Sequence, residues 1–446
     1  MNNKHILSRI VLAFSLLSLL ILLLLPSVTS NAAPRLQKTG NPIIIVIDPG
    51  HGGEENTGTT ECGFVEKDMN LLTAKIMAEE LSKYDGVKVY LTRDGDYDLT
   101  LKKRAQIASE YHADFLISLH YNASESHLLY GSETWVSLNP DYHNQGYQLG
   151  TAFLREFREM GLTLRGIKTR RHSKGSDYYG ILRESVALGV PAIIVEHCHV
   201  DHARDNVFCD SEEELIAFGE ADARAVAKYF GLKSASLGID YSEEANRLPE
   251  VTVGALVPRA AQDLTNPEYC HVALLDAKYE EDLVTVQVSA KDSDSNLLYY
   301  AYSLDGGVTY TETIPWPEGD ILTGEFSGTF TLELTIPDGT TPQICFRAVN
   351  PYDLDTASNV LVFDKDFQKL VQEESHEQEY EDATGKLAPE AESSDEDADF
   401  YDTIYLILKL GIAIVGTLFI VFLIAFLAKA SKTKKESQGE GNTKQK

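Results

Sequence analysis

Positive charge is scarce in this 446-residue chain: 39 lysines and arginines stand against 68 aspartates and glutamates, for a formal net charge of -29. Such a surface repels a polyanion, and neither a basic groove nor an aromatic stacking platform interrupts the middle of the chain, which argues against a nucleic-acid partner. Cysteine is scarce too. Five thiols leave one unpaired, so a complete disulfide framework is not expected in an exported chain. Cys270 with Cys345 and Cys198 with Cys209 are candidate bridges, and a reduced thiol packed as a small hydrophobe is the alternative for each. No internal repeat is found, and long apolar runs are confined to the two ends.

Those ends predict location. Lys4 and Arg9 precede an apolar run from Ile10 to Leu25, broken by Pro26 and followed by the small residues Ser30, Ala32 and Ala33, which predicts a secretory signal peptide over 1–33, or a short anchor if it is retained. Near the other end, Leu410 to Ala428 is apolar, extends upstream through Tyr405, and is followed by Lys429, Lys432, Lys434 and Lys435. The pattern predicts one transmembrane helix over 404–428, with Lys409 snorkelling outward and a basic cytoplasmic tail over 429–446. Everything before the helix is then extracellular, on a single-pass protein of the cell membrane.

The chain between these ends is too long for one ordinary core. Residues 250–365 alternate in runs such as Leu283-Val284-Thr285-Val286-Gln287-Val288 and Phe330-Thr331-Leu332-Glu333-Leu334-Thr335-Ile336, with turn signals at Asp305-Gly306-Gly307 and Pro337-Asp338-Gly339. An immunoglobulin- or fibronectin-like β-sandwich is expected there, serving as a spacer or as a surface for the wall or a regulatory protein partner. Residues 366–402 are crowded with Glu, Asp and Ser, and are expected to form a disordered, self-repelling stalk.

Residues 40–233 carry the chemistry. Ile43 to Ile47 run straight into Asp48-Pro49-Gly50-His51-Gly52-Gly53, so a buried strand delivers its chain to a glycine-lined loop bearing a histidine. Phe115-Leu116-Ile117-Ser118-Leu119 delivers His120 in the same way, and Ala192-Ile193-Ile194-Val195 delivers Glu196. The carboxyl ends of strands in an α/β sheet form its ligand-binding edge, so these side chains are expected to converge. Imidazoles and carboxylates suit a catalytic Zn²⁺, which takes three protein ligands and keeps one position open. Glu66 is a candidate third ligand at the start of an amphipathic helix carrying Leu72, Ile76 and Met77, although an acid in a first helical turn also complements the helix dipole.

The ordered set Asp48 to Gly53, Gly63-Phe64-Val65-Glu66-Lys67-Asp68-Met69-Asn70-Leu71, Leu91-Thr92-Arg93 with Asp96, Arg104, and Ile117-Ser118-Leu119-His120-Tyr121-Asn122-Ala123 closely resembles the zinc-dependent N-acetylmuramoyl-L-alanine amidases of the type 3 family. The resemblance covers residues 43 to about 231. It implies a phosphorylase/hydrolase-like α/β fold, His51, Glu66 and His120 as zinc ligands, and Glu196 as general base. It also implies the substrate, the peptidoglycan amide between the lactyl group of N-acetylmuramic acid and L-alanine. Arg183 and Arg93 are candidate substrate-binding residues, suited to pairing with a stem-peptide acid. An ion pair with Asp96 or a neighbouring carboxylate is the structural alternative for Arg93 and Arg104.

The chain departs from the family where Glu196 is followed by His197-Cys198-His199-Val200-Asp201-His202 instead of a small residue, an aromatic and a Ser-Asn pair. Cys198, His199, His202 and Cys62 are therefore weighed as extra ligands against loop or packing roles, the latter favoured because three ligands already suffice. His112, His127, His143 and His172 are expected at the surface. Two rival functions are a zinc peptidase cutting within the stem peptide and a catalytically silent wall-binding or signalling ectodomain.

Overall fold

The computed structural model describes residues 42–243 and 262–368, apart from 62, 64 and 318. The expected signal peptide, most of the acidic stretch, the apolar segment 404–428, the basic tail and Cys62 lie outside the described residues. Among the described residues, no helix is long and apolar enough to cross a membrane.

Strands β1 (Ile43–Pro49), β2 (Val87–Leu91), β3 (Phe115–Asn122), β4 (Ser132–Val136), β5 (Leu164–Lys168) and β6 (Ala192–His199) form one sheet in the order β2-β1-β3-β6-β4-β5. The first three and β6 are mutually parallel, as continuous apolar strands covered on both faces should be. Strand β4 runs antiparallel to β6, and β5 runs parallel to β4. The sheet is therefore mixed.

Helices α1 (Glu66–Ser82), α2 (Leu101–Glu110), α3 (Pro140–Met160), α4 (Gly180–Ala187), α5 (Ala203–Asn206) and α6 (Glu212–Phe230) complete this part. Their ends follow local rules. Ser211 and Glu214 form a capping box on α6, and Gly161 and Gly231 close α3 and α6 in the left-handed conformation. Met77, Phe153, Phe157 and Phe218 of α1, α3 and α6 share a core with Ile45, Ile117 and Ile193 of the sheet. Ala108, Ile181 and Leu182 of α2 and α4 pack with Val46, Leu116 and Ile194 of the sheet. A short hairpin, β7 (Lys233–Ser234) and β8 (Ile239–Asp240), follows α6.

The later residues are all β. Strands β9 (Tyr269–Lys278), β10 (Leu283–Lys291), β11 (Tyr299–Ser303), β12 (Ile314–Pro315), β13 (Gly319–Asp320), β14 (Glu325–Phe326), β15 (Thr329–Thr335), β16 (Gln343–Val349), β17 (Asp355–Ala357) and β18 (Leu361–Val362) form a sheet β15-β10-β9, a sheet β12-β11-β16-β17 with β18 on β16, and the hairpin β13-β14. Val284, Val286 and Val288 are buried on alternate positions of β10 and share one core with Tyr300, Phe330 and Phe346. Cys198, Cys209, Cys270 and Cys345 are buried thiols, so neither candidate bridge forms.

This β region packs against the α/β region. The Tyr130 hydroxyl donates to Thr313 O at 2.8 Å, the Tyr299 hydroxyl to Tyr130 O at 2.6 Å, and Arg158 pairs with Asp320 at 2.6 Å. Leu322 joins the core beneath α3 and α6.

Candidate metal centre

Three segments meet above the ends of β1 and β3. The chain leaves β1 through Gly50 and turns at His51, which sits at φ 60, an uncommon region for a side-chain-bearing residue. A Cβ on Gly50 would lie 2.2 Å from the His120 ring, so only glycine permits the approach. Glu66 is the first residue of α1, and its Oε2 accepts from Thr59 N at 3.0 Å. His51 Nε2 and His120 Nδ1 each lie 3.1 Å from Glu66 Oε1, and one ligand atom from each residue falls within 4.8 Å of the others. The histidine side chains remain 26% and 21% exposed, so the group is open on one side.

Two nitrogens and a carboxylate oxygen at this spacing fit a tetrahedral divalent cation with one open position. Electrostatics agree with that fit. Burial alone would raise the Glu66 carboxyl, but hydrogen bonds from His120 and His51 hold it well below the usual carboxylate range, keeping it an anionic ligand.

The surrounding residues hold the ligands in place. Asn56 Oδ1 lies 2.7 Å from His51 Nδ1, so the hydrogen on that nitrogen is occupied and Nε2 is left for a metal. Asp48 accepts from Thr92 Oγ1, Arg104 Nη1 and Ser118 Oγ at 2.5, 2.8 and 2.8 Å. Arg104 also donates to Pro49 O and His51 O. Its partner is thus Asp48 and not Asp96, which pairs with Lys67 at 2.6 Å. Arg93 is 1% exposed and donates to the carbonyls of Pro49, Gly50, Lys67 and Gly95, so its guanidinium braces the loop that carries His51. Arg183, half-buried, donates to Asp177 O and Tyr178 O at the entry to α4.

Glu196 lies in register beside His120 on one side and Glu133 on the other. Glu196 as a residue is half-buried, and its carboxyl is enclosed by protein. Burial raises it well above the usual range, and Glu66 and Glu133 add to the effect against an opposing Lys168. A protonatable carboxyl crowded by two carboxylates fits a site built around a cation. Glu133 behaves oppositely. Burial would raise it, but Lys168 at 2.6 Å and Arg165 at 2.7 Å hold it at about 2. Its Oε1 accepts from Trp135 Nε1 and Asn122 Nδ2.

The histidines after Glu196 belong to the packing. His197 is fully buried, with Nδ1 2.8 Å from His120 O and Nε2 2.9 Å from Asp222 Oδ2, so it ties the ligand strand to α6. His199 Nδ1 meets Gly131 O at 3.0 Å, and burial, aided by Arg165, lowers its pKa to about 4. The His202 ring caps α5 through Arg204 N. Among the described residues, only His51, Glu66 and His120 group as metal ligands. His143, expected at the surface, is 4% exposed and hydrogen-bonded to Ser137 O. Sequence reasoning overlooked Asn56, Asn70, Glu133 and Lys168. Asn70 had a legible signal, standing four residues after Glu66 on the same helix face, where its Nδ2 reaches Gly50 O at 3.2 Å.

Comparison with known proteins gives one pattern. A family model described as N-acetylmuramoyl-L-alanine amidase matches residues 45–228. A putative N-acetylmuramoyl-L-alanine amidase of Buchnera aphidicola is 39% identical over 106 residues, covering 24% of this chain and 48% of that protein. The N-acetylmuramoyl-L-alanine amidase CwlM of Bacillus licheniformis is 29% identical over 220 residues, covering 49% of this chain and 78% of that protein. The solved structure of the N-acetylmuramoyl-L-alanine amidase AmiC2 of Nostoc punctiforme is 30% identical, covers 42% of this chain and 97% of its own, and has a TM-score of 0.36.

Proposed function

We propose, from the premise that residues 45–228 belong to the N-acetylmuramoyl-L-alanine amidase family, that this protein is a cell-wall hydrolase cutting the amide between N-acetylmuramic acid and L-alanine of peptidoglycan. The observation that carries the reading is the His51, Glu66 and His120 group with Glu196 on the adjacent strand. Zinc bound by those three residues would supply an acidified water and a Lewis acid for the amide carbonyl. Glu196 takes a proton from the water as its oxygen attacks the carbonyl carbon. The carbon–nitrogen bond then breaks, and the same carboxyl returns the proton to the departing L-alanine amine. A carboxyl shifted upward by burial is suited to both transfers, because its affinity for the proton is closer to that of the groups it serves. Asn56 keeps Nε2 of His51 directed at the metal, and Arg183 is the proposed contact for a stem-peptide acid.

Digestion of purified peptidoglycan, followed by identification of the new termini, tests the reading. The expected products are stem peptides with a free L-alanine amino terminus and muramic acid residues free of peptide. New amino termini inside the stem peptide would make the protein a peptidase, and the absence of new termini would make it a binding protein. The apolar segment 404–428 followed by lysines supports a membrane tether with the enzyme outside; full-length protein should then sediment with membranes, whereas a chain ending at residue 403 should not.

A further inference from the structure

The α/β region and the β region meet at the very network that flanks Glu196. Between β16 and β17, Asn350 is fully buried. Its Nδ2 donates to Asp263 Oδ2 at 2.9 Å and Asp292 Oδ2 at 3.0 Å, while its Oδ1 accepts from the backbone of Tyr352 and Leu354. This anchor holds three residues against β5. Pro351 O accepts from Lys168 Nζ at 2.7 Å, Tyr352 OH exchanges hydrogen bonds with the backbone of Thr169, and both oxygens of Asp353 lie 2.7 to 2.8 Å from Arg165 Nη2. Lys168 is enclosed between the Trp135 and Tyr352 rings, 4.9 and 5.5 Å from their centroids.

Both cations reach inward as well as outward. Arg165 Nε and Lys168 Nζ contact the same oxygen of Glu133, which faces Glu196 across the β4–β6 pair. Arg165 and Lys168 are 1% and 4% exposed, so water cannot replace a lost partner. A buried cation with two anionic partners sits where their pulls balance; losing one lets it move toward the other. The outer partner of Arg165 comes from the β region, about 190 residues further along the chain.

We propose that the loop Asn350–Asp353 is a positioning element for the catalytic site, completing through Arg165 and Lys168 the support that holds Glu133 beside Glu196. The inference rests on the amidase reading and extends it: the β region is part of the enzyme's working geometry in addition to any role as a spacer. Asp353 acts through other residues and does not touch substrate. Its own backbone is left-handed at φ 64, a conformation asparagine also tolerates, so the charge can be removed without imposing strain.

The test uses the full chain with Asp353→Asn, and Asp320→Asn as a control that breaks another cross-region ion pair, Arg158–Asp320, which is far more exposed. On a soluble muropeptide, Asp353→Asn is expected to lower kcat by about tenfold with KM within about twofold, the effect of a small misplacement at the reacting centre, with zinc content unchanged. Asp320→Asn should leave kcat unaltered. A second readout needs no activity. The chain has two tryptophans, so in a Trp316→Phe background Trp135 reports alone, and acrylamide should quench it more readily in Asp353→Asn than in Asp320→Asn. An unchanged kcat and unchanged quenching in Asp353→Asn, or equal losses in both variants, would overturn the proposal, the latter reducing the contact to simple docking. An inactive wild-type chain would instead sink the amidase reading, and the quenching comparison would still decide whether the loop supports this wall.

Discussion

Two carboxylates on neighbouring strands, Glu196 and Glu133, have opposite proton affinities because their partners differ. Glu133 faces two buried cations, whereas Glu196 is crowded by Glu66 and Glu133 itself. That contrast is consistent with the proposed roles, proton transfer for Glu196 and support for Glu133. Glu196→Gln should therefore keep about one zinc per chain while turnover falls by roughly two or more orders of magnitude, the scale of a general base. His120→Ala should lose both metal and turnover, as checked by elemental analysis and by release of L-alanine-terminated peptides from the same preparations. Equal metal loss in the two variants would make Glu196 a ligand. His199 offers a test by pH. Buried as a neutral ring with a pKa of about 4 against an ordinary 6.5, it binds no proton in the folded state across that window, whereas the unfolded chain does. Stability should then fall as pH drops from 6.5 toward 4, at up to about 1.4 kcal/mol per pH unit for this one group. Urea titrations of His199→Gln should show a shallower pH dependence there; an unchanged slope would mean the ring is not held neutral.

Loops and strand ends, more than the cores of elements, set the geometry of the ligands. The turn after β1 carries His51 at positive φ and passes beneath His120 at Gly50, where a Cβ would overlap the ring. Gly50→Ala should thus displace His120 and reduce zinc content by at least about tenfold, the lower range for disturbing a ligand's support, while circular dichroism stays native. Full zinc occupancy in that variant would show the turn to be more pliant than its packing implies. Strand β6 is fixed from the other side. His197 links His120 O to Asp222 of α6, so the residue after Glu196 belongs to the scaffold that aligns two strands.

The two described regions share a buried seam. Tyr130 is fully buried between them with Leu298, Tyr299 and Val349, and its hydroxyl bonds across to Thr313. Truncating a buried aromatic costs about 3 to 5 kcal/mol, and here the loss falls on the contact that couples the regions. Calorimetry of the wild-type chain should show one cooperative transition, and Tyr130→Ala should lower it and resolve it into two. Two transitions in the wild type would mean the regions unfold independently despite the seam.

The motifs of the site were legible because they are local: three apolar strands lead directly to His51 in its glycine-lined turn, to His120 and to Glu196, and these runs arrive in a recognisable order. Alternating valines in β10 likewise announced the β region, since inward and outward positions alternate along a strand whatever it pairs with. Long-range partners were not legible. Nothing beside Arg93 or Arg104 in the chain reveals that both guanidiniums would bend back to the carbonyls around His51, or that β4 would run antiparallel to β6 and bring Glu133 opposite Glu196. The run His197-Cys198-His199 was weighed as a metal motif and read in favour of packing because three ligands already suffice, and the two histidines do make buried contacts, although which partners they meet was not legible. By itself, then, the amino-acid sequence determined which residue types the chemistry uses and the order in which strands deliver them, because strand alternation and turn formation depend on neighbours a few residues away. Only the tertiary structure decided which charges face one another, because the pairs Arg104–Asp48, Arg165–Asp353 and His197–Asp222 join residues 25 to 188 positions apart, and burial makes each interaction strong only once those segments have packed together.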